Sequence, residues 1–214
     1  MYKKIIGGVL VGILMMVVVI LLIYSGAGTQ QTIQSIYIPG DNPTVIRSEK
    51  GIILSIEELP KESSIAKGFK LSNQSFSHVA LSPDCKKVAF SVRGSVHDWT
   101  GLLILQSGEI KQLTFIYGGA AGKLYWSPNS EYLAIENRYG SGLRKIDIVD
   151  ATTGVFINCN NIIGREFHSK GIETYSPQWF NDNNRLSFKA KKIGEDQESL
   201  WIINLENCML SRLE

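Results

Sequence analysis

Two hydrophobic patterns divide this chain of 214 residues. Residues 5–24 form an unbroken run of apolar side chains and glycines that ends in a tyrosine and contains no charge. Beyond residue 75, short apolar runs with alternating polar positions recur between clusters of turn residues, which is typical of β-strands. The first pattern predicts one long helix, and the second predicts an all-β domain.

The first pattern fits a transmembrane helix. Residues 5–24, at 1.5 Å rise per residue, make a helix about 30 Å long, which matches the hydrocarbon core of a bilayer. Lys3 and Lys4 precede the run, and the next basic residue is Arg47. By the positive-inside rule the N-terminus stays in the cytoplasm, and residues 28–214 lie outside it, in the periplasm or the extracellular space.

A cleavable signal peptide that ends at Ala27 is the alternative. The apolar run is longer than the roughly 7–15 residues of a signal peptide, which favours a retained signal anchor over residues 1–27. Gly8 and Gly12 form a G-x-x-x-G step, which lets two membrane helices approach closely. A homodimer through this step is one interpretation, and glycines that simply face lipid are the other.

The second pattern is an internal repeat. Three segments align without a gap, and each runs from an apolar residue through Ser-Pro-Asp, or a variant with Asn, into an alternating strand pattern. They are Leu81–Phe90, Trp126–Ile135 and Trp179–Phe188. A second pair of strands with a tight turn follows each segment. The spacings of 45 and 53 residues fit the four-stranded blade of a β-propeller.

The first repeat resembles a known family. The run S-P-D-x-K-K-V-A-F-S from Ser82 to Ser91, followed by an apolar strand, a Gly turn and I-K-Q-L-T, resembles the WD-like repeat of TolB-type β-propellers. It is also similar to the propeller of dipeptidyl peptidase IV-type enzymes. The resemblance covers roughly residues 76–214. The family's usual glycine after Ser-Pro-Asp is replaced by Cys85, Ser130 and Asn183, which weakens the case for a tight left-handed turn, because glycine adopts positive φ at the lowest cost.

The predicted fold is therefore all-β: a small propeller of four-stranded blades behind one N-terminal transmembrane helix. Three blades are clear, at residues 76–118, 119–160 and 171–214. Residues 28–75 are either a degenerate first blade or a stalk. In the blade interpretation, Pro39 is in register with Pro83, Gly51–Ile56 is the third strand and Phe69–Leu71 is the fourth. Without this blade, closure would need a second chain, since blade faces are buried only against neighbouring blades.

Charge and motifs exclude several classes of function. The net charge of +2 equals the charge of Lys3 and Lys4, so nothing favours nucleic acid as a partner. The chain lacks the nucleophile elbow, the zinc-protease, C-x-x-C, P-loop and dinucleotide motifs. We therefore expect no catalytic residues and no cofactor. We also expect no metal site, because the three histidines lie far apart in sequence, at His78, His97 and His168.

Several recurring residues have structural interpretations. Asp84, Asn129 and Asp182 are predicted to close the first turn of each blade with their side chains. Trp126 and Trp179 are predicted to pack between blades. Cys85, Cys159 and Cys208 are placed in different blades or on different rims, so no structural disulfide is predicted, although an intermolecular bridge stays open.

The candidate binding site lies on one rim of the propeller. Loops between second and third strands, together with the connections between blades, are rich in side chains that are enriched at interaction hot spots. The candidate residues are Arg93, Trp99, Arg138, Tyr139 and Arg144. Trp99 and Tyr139 are expected to be exposed anchors, and the arginines bidentate donors. An ordinary solvated rim would explain the charges equally well.

The predicted function is that of a membrane-anchored, extracytoplasmic, non-enzymatic module that binds a protein partner in the cell envelope. The resemblance to TolB-type propellers implies such a partner. One alternative is a glycan- or peptidoglycan-binding propeller with hydrolytic activity, which would need several carboxylates and aromatic side chains on the central channel. The other is an accessory or stalk subunit that assembles through its membrane helix.

Overall fold

Four antiparallel sheets follow one another along the chain and form almost all of the regular structure. The structure is a computed structural model that describes residues 33–71 and 74–213. The predicted membrane segment, residues 5–24, lies outside these ranges, as do Gly8, Gly12 and Ala27. Within them, no helix is long and apolar enough to cross a membrane. The all-β prediction is confirmed.

Each sheet is a meander whose strands pair in chain order. Sheet 1 contains β1 (Ile36–Tyr37), β2 (Val45–Ser48) and β3 (Gly51–Ser55) and is followed by a 3-10 turn, Ile56–Glu58. Sheet 2 contains β4 (Ser75–Leu81), β5 (Lys87–Arg93), β6 (His97–Ile104) and β7 (Glu109–Tyr117). Sheet 3 contains β8 (Ala120–Trp126), β9 (Tyr132–Arg138) and β10 (Arg144–Asp150). Sheet 4 contains β11 (Ile172–Trp179), β12 (Arg185–Lys192), β13 (Glu198–Asn204) and β14 (Leu210–Leu213). Helix α1 (Cys159–Glu166) and a 3-10 turn (His168–Lys170) connect sheets 3 and 4.

The sequence repeat is also a repeat in strand register. The last residue of the first strand pairs with a fully buried residue of the second strand in sheets 2, 3 and 4. These pairs are Leu81 with Val88, Trp126 with Leu133, and Trp179 with Leu186. The aligned positions therefore occupy the same place in each sheet.

The turn between these strands keeps its left-handed residue although no glycine is present. The φ angles are 57°, 64° and 63° at Cys85, Ser130 and Asn183. The preceding Asx side chain closes the turn: Asp84 Oδ1 accepts a hydrogen bond from the backbone N–H of Lys86 at 3.2 Å. The same contact is made by Asn129 and Asp182. The predicted Asx turns are confirmed, and the departure from glycine does not abolish the left-handed turn.

The turns of neighbouring sheets are hydrogen-bonded to one another. The backbone N–H of Asp84 in sheet 2 donates to Ser130 Oγ in sheet 3 at 3.0 Å. The backbone N–H of Asn129 in sheet 3 donates to Asn183 Oδ1 in sheet 4 at 2.8 Å. The left-handed residue of each later turn thus receives a bond from the turn before it.

Tryptophans join the innermost strands. Trp126 Nε1 donates to the carbonyl of Ala80 at 3.1 Å, and Trp179 Nε1 donates to the carbonyl of Tyr125 at 2.9 Å. Ala80 and Tyr125 occupy equivalent positions in the repeat, so the same bond links sheet 2 to sheet 3 and sheet 3 to sheet 4. The predicted packing of these tryptophans between sheets is confirmed.

Three apolar cores lie between successive sheets. The core between sheets 1 and 2 includes Ile46, Leu54, Phe76, Phe90 and Trp99. The core between sheets 2 and 3 includes Ala89, Leu102, Leu133, Ile135 and Val149. The core between sheets 3 and 4 includes Ile146, Ile148, Ile163, Phe188 and Ile203. Sheets 2 and 3 each contribute residues from both faces, which is the packing of propeller blades.

Sheet 3 lacks the fourth strand that the repeat predicted. After β10 the chain returns for a single bridge, between Val149 and Phe156, and then enters α1. Cys159, Ile163 and Phe167 are buried in the core between sheets 3 and 4. Their spacing of four residues places them on one helical face. This stripe explains why the segment forms a helix.

Two further expectations are wrong. Cys159 and Cys208 form a disulfide, with their Cα atoms 5.0 Å apart. The prediction failed because α1 replaces the expected strand and turns Cys159 towards sheet 4. The proposed fourth strand of sheet 1, Phe69–Leu71, is absent too, since only an isolated bridge joins Glu62 and Lys70.

Candidate functional site

Three of the five predicted site residues line one cavity of about 220 Å³ at the end of sheets 2 and 3 where second strands meet third strands. We call it the basic cavity. Its ionisable lining residues are His78, Arg93, Lys123, Glu136, Arg138 and Arg144. They come from β4, β5, β8, β9 and β10, so the site is built on strands and not on free loops.

Irregular strand pairing shapes this cavity. A β-bulge interrupts β4 before His78, and another interrupts β8 before Lys123. Bulges of this kind re-aim side chains and are common beside functional sites. At Gly122, an added Cβ would lie 1.6 Å from the backbone oxygen of Glu136. Only glycine therefore allows β8 to approach β9 this closely.

Asp98 holds the strand connection that follows Arg93. Its Oδ1 accepts a hydrogen bond from the Gly94 N–H at 3.2 Å, and its Oδ2 accepts one from the Ala121 N–H at 3.1 Å. Burial raises the pKa of Asp98, while these bonds and the charge of Arg93 oppose the shift. The β5–β6 turn is thereby tied to β8, which keeps the cavity wall in place.

The single carboxylate of the lining is already engaged. Glu136 Oε2 accepts hydrogen bonds from Tyr125 Oη at 3.3 Å and from the Ser176 N–H at 3.1 Å. Burial and the neighbouring carboxylate raise the pKa of Tyr125 to about 12. Glu136 therefore joins sheets 3 and 4 and is not a free acid or base.

Arg144 is engaged as well. Its Nη2 and Nε donate to Glu173 Oε2 at 3.0 and 3.2 Å, and its guanidinium lies 3.7 Å from the ring centroid of Tyr175. The predicted carboxylate contact of Arg144 is therefore made within the chain. Arg93 and Arg138 are exposed and have no such partner in the described part of the chain.

The expectation of an exposed Trp99 is wrong. Strand β6 begins at His97, so Trp99 pairs with Val92 and is fully buried in the core between sheets 1 and 2. Its Nε1 donates to Gln74 Oε1 at 2.8 Å. The ring is therefore part of the fold and cannot anchor a partner.

Tyr139 is half-buried rather than freely exposed. Its hydroxyl donates to Asp147 Oδ2 at 2.8 Å, and Asn137 Nδ2 donates to the same oxygen at 2.8 Å. Burial, followed by the negative charge of Asp147, raises the pKa of Tyr139. Lys145 Nζ lies 4.6 Å from the centre of the Tyr139 ring. The Tyr139 side chain therefore supports the wall beside the cavity.

Sequence reasoning missed three ionisable members of the site, Glu136, His78 and Lys123. A signal was available for His78 and Lys123, because each stands three residues before an aligned repeat position, Leu81 or Trp126. The two side chains thus occupy equivalent places on adjacent innermost strands. Their convergence on one cavity follows from the repeat.

A second surface, the aromatic groove, lies next to the basic cavity. It is lined by Tyr125, Trp126, Trp179, Pro128 and Pro177. The hydrogen bond between Tyr125 and Glu136 joins the groove to the cavity. Within the described ranges, no group of three or more His, Cys, Asp and Glu side chains is arranged to hold a metal ion.

Comparisons with known proteins identify the fold. No family model matches the chain, and no curated protein matches it significantly. Among solved structures, TolB from Acinetobacter baumannii superimposes with a TM-score of 0.50 at 17% identity over 83% of this chain and 40% of that one. An oligogalacturonate lyase from Vibrio parahaemolyticus gives 0.52 at 10% identity over 83% and 49%. An oligogalacturonate lyase in complex with manganese gives 0.51 at 11% identity over 66% and 42%.

The chain thus spans less than half the length of these proteins. Sequence identities this low show only that the fold is shared, since one fold hosts many functions. The resemblance to TolB-type propellers is confirmed at that level: the described part of the chain has a β-propeller fold similar to that of TolB.

Proposed function

We propose that this chain is a membrane-anchored, extracytoplasmic β-propeller that acts as a non-enzymatic interaction module for a protein of the cell envelope. The basic cavity carries the proposal. Arg93, Lys123 and Arg138 have no carboxylate within 4 Å in the described part of the chain. Arginines that remain unpaired on a rigid, concave surface are favourable contacts for a partner.

The opposite end of the sheets supports the choice of this rim. There, two lysines are used within the chain: Lys87 Nζ donates to the carbonyl of Ser130 at 2.9 Å, and Lys111 Nζ to the carbonyl of Thr152 at 3.0 Å. These bonds hold turns together, so these two lysines are not available for a partner. They differ in this respect from Arg93 and Arg138.

The membrane part of the proposal rests on the apolar run of residues 5–24 and the lysines before it. A reporter fused after Glu214 should be active only outside the cytoplasm, and the full-length chain should stay in membranes after a high-salt wash. Activity in the cytoplasm would overturn the orientation. Release of a soluble chain that begins near Gly28 would instead favour the cleaved signal peptide.

The binding part is tested by crosslinking the full-length, C-terminally tagged chain in intact cells and identifying captured proteins by mass spectrometry. The variant Arg93→Glu/Arg138→Glu should lower capture by about tenfold or more, because two hot-spot arginines are reversed. The control is Lys67→Glu/Lys86→Glu, which changes the charge equally at exposed lysines outside the cavity. Equal capture by both variants would show that the rim is not the binding surface.

A glycan-binding propeller is the second candidate, and the aromatic groove favours it because flat aromatic faces suit sugar rings. Sedimentation of the chain with purified peptidoglycan, free of other proteins, would support this alternative. For the accessory-subunit alternative, residues 5–24 are exchanged for an unrelated membrane helix. Loss of all partners in that chimera, with the rim intact, would favour assembly through the helix and contradict our proposal.

A further inference from the structure

The basic cavity holds more positive charge than the chain compensates. Four cations and one carboxylate line it. Arg144 is paired with Glu173. Glu136 keeps its negative charge while it accepts hydrogen bonds from Tyr125 and Ser176, and Asp98 acts on Arg93 from beyond 4 Å. The three cations Arg93, Lys123 and Arg138 still outnumber the one carboxylate of the lining. Like charges gathered in this way repel one another, and an anion between them would relieve the repulsion.

His78 is an independent observation at the same place. Its side chain lines the cavity, and its Nδ1 is buried without a hydrogen-bond partner in the described part of the chain. Burial, followed by the charges of Lys123 and Arg93, lowers the pKa of His78. A buried polar atom without a partner is uncommon in native proteins and calls for an explanation. An anion in the cavity would lower the local positive charge and would offer the imidazole a hydrogen-bond acceptor.

The cavity is also preorganised. Asp98 fixes the β5–β6 turn to β8, and Ser91 Oγ donates to the carbonyl of Gly122 at 2.7 Å. The close approach at Gly122 sets the distance between β8 and β9. These contacts fix the strands that carry Arg93, Lys123 and Arg138 without help from a ligand, while the three side chains themselves are exposed. A preorganised backbone lowers the cost of binding.

We infer that the basic cavity binds a carboxylate, and that this carboxylate is the side chain of an aspartate or glutamate in a peptide segment of the partner. The inference rests on the proposed function and names the chemistry of its contact. Arg93 and Arg138 donate to the carboxylate oxygens as charge-assisted hydrogen-bond donors, while Lys123 and His78 supply further positive charge and a ring N–H.

The cavity volume limits the size of the ligand, and the neighbouring groove favours a peptide over a free anion. The volume of about 220 Å³ accepts one acidic side chain but not a folded domain. The aromatic groove begins at Tyr125, directly beside the cavity, and it offers Trp126, Trp179 and two prolines to apolar residues that flank the carboxylate. A free phosphate or carboxylate ion would leave this groove unused.

The test uses the purified full-length chain in detergent and a fluorescein-labelled peptide with two glutamates flanked by prolines and leucines. A matched peptide carries glutamine in place of both glutamates. We expect the glutamate peptide to bind about tenfold more tightly or better, and Arg93→Gln/Arg138→Gln to remove the difference. Lys67→Gln/Lys86→Gln should leave it unchanged at the same net charge. Circular dichroism confirms that both variants fold.

A second readout follows the histidine itself. With isotope-labelled histidine, the ring signals assigned to His78 through His78→Gln should shift when the glutamate peptide is added and stay in place with the glutamine peptide. Inorganic phosphate and acetate are added alone in parallel. If either ion moves the same signals at concentrations where the peptide does not, the site takes a free anion and the peptide assignment is overturned.

The failures of the two proposals are distinguishable. If envelope capture depends on Arg93 and Arg138 but both peptides bind alike, the carboxylate inference is wrong and the interaction module stands. If the glutamate peptide binds and shifts the His78 signals while no envelope protein is captured, the pocket stands and the proposed partner class is wrong.

Discussion

Sheets 2 and 3 share one sequence repeat but complete their ladders differently. Sheet 2 has four strands, and β7 covers the outer edge of β6. Sheet 3 has three: residues 155–157 make only two backbone hydrogen bonds to β10, and the side-chain amide of Asn160 continues the pairing beyond them. Its Oδ1 accepts from the Ile148 N–H at 2.9 Å, and its Nδ2 donates to the Ile148 carbonyl at 2.8 Å. Thr174 Oγ1 accepts from the Ile146 N–H at 3.0 Å.

The difference shows that individual side chains can complete a sheet edge where the neighbouring segment pairs only briefly. Buried backbone groups need partners, and an amide supplies the same donor and acceptor as a peptide unit. Such an edge is also closed to pairing with another chain. However, Thr174 belongs to sheet 4, and α1 is tied to Cys208 of sheet 4. Sheet 3 therefore depends on sheet 4 for part of the hydrogen bonding at its outer edge, whereas the outer edge of β6 in sheet 2 is paired within its own sheet.

The largest expected change in the free energy of unfolding comes from Trp99 of sheet 2, and the equivalent position of sheet 3 is its control. Trp99, paired with Val92, is fully buried in sheet 2, while Lys145, paired with Asn137, stands at the same register in sheet 3. Trp99→Ala should lower the free energy of unfolding by about 3–5 kcal/mol, because it leaves a cavity. Lys145→Ala should change it by about 1 kcal/mol or less, because it removes only the contact of a half-buried lysine with the Tyr139 ring. Denaturant unfolding measures both, and equal losses would contradict the placement of Trp99.

The disulfide comes next. Cys159→Ser/Cys208→Ser opens a link across 49 residues of sequence and should lower the free energy of unfolding by about 2–4 kcal/mol. The free Cys85 supplies the control. Cys85→Ser recreates the residue found at Ser130 in the equivalent turn, so we expect a change below about 0.5 kcal/mol. A loss in the control as large as that of the double variant would mean that thiol removal, not the link, matters.

A smaller effect is expected at the edge of β10. Asn160→Ala removes both bonds to Ile148 and leaves its N–H unpaired, while its carbonyl keeps the bond from the Ile157 N–H at 3.1 Å; a buried unpaired N–H should cost about 1–3 kcal/mol. Asn161→Ala is the matched control, because the Asn161 side chain is exposed on the same helix. Hydrogen exchange at the Ile148 amide should accelerate only in the first variant. Unchanged exchange there would contradict the role of the Asn160 amide in pairing this edge.

The smallest effect concerns pH. His168 Nε2 lies 2.9 Å from Thr174 Oγ1, and burial, with a contribution from Lys145, lowers the pKa of His168 to about 4. Between about pH 6.5 and 4 the unfolded chain therefore binds a proton that the folded chain does not, so stability falls as the pH falls through this range. The loss should be on the order of 1–2 kcal/mol, since the partly exposed ring is screened by solvent. His168→Gln should remove that part of the pH dependence in thermal unfolding, and an identical profile would show that the ring is not the sensitive group.

Sequence repeats predicted the parts of the fold that depend on local pattern. Turn chemistry at Asp84 and Asn129 and the burial of Val88 follow from alternation and Asx geometry alone. The end of sheet 3 did not follow, because Phe156 carries a strand signal and the helical stripe that starts at Cys159 competes with it. Only the packing against sheet 4 decides between the two patterns.

Less of the site than of the fold could be predicted. Arg93 and Arg138 were found because they fall in the predicted loops between second and third strands, which the repeat defines, and the structure places them at the ends of the second strands. Trp99 was misplaced because strand β6 extends further than the turn residues before it indicate. Pairing between Arg144 and Glu173, 29 residues apart, depends on how sheet 3 meets sheet 4, which no local pattern contains.

The hydrogen bonds between successive turns all run in one direction along the row of sheets, from the earlier turn to the later one. Asp84 and Asn129 donate forward, and Ser130 and Asn183 accept from behind. In the described part of the chain, no group accepts from the backbone N–H of Asp182, so the last turn presents a free donor. An extra repeat grafted after sheet 4 would find this donor in place and would need only a serine or asparagine at its own left-handed position. The row of sheets could thus be extended after sheet 4 by the same turn-to-turn hydrogen bond that already joins sheets 2, 3 and 4.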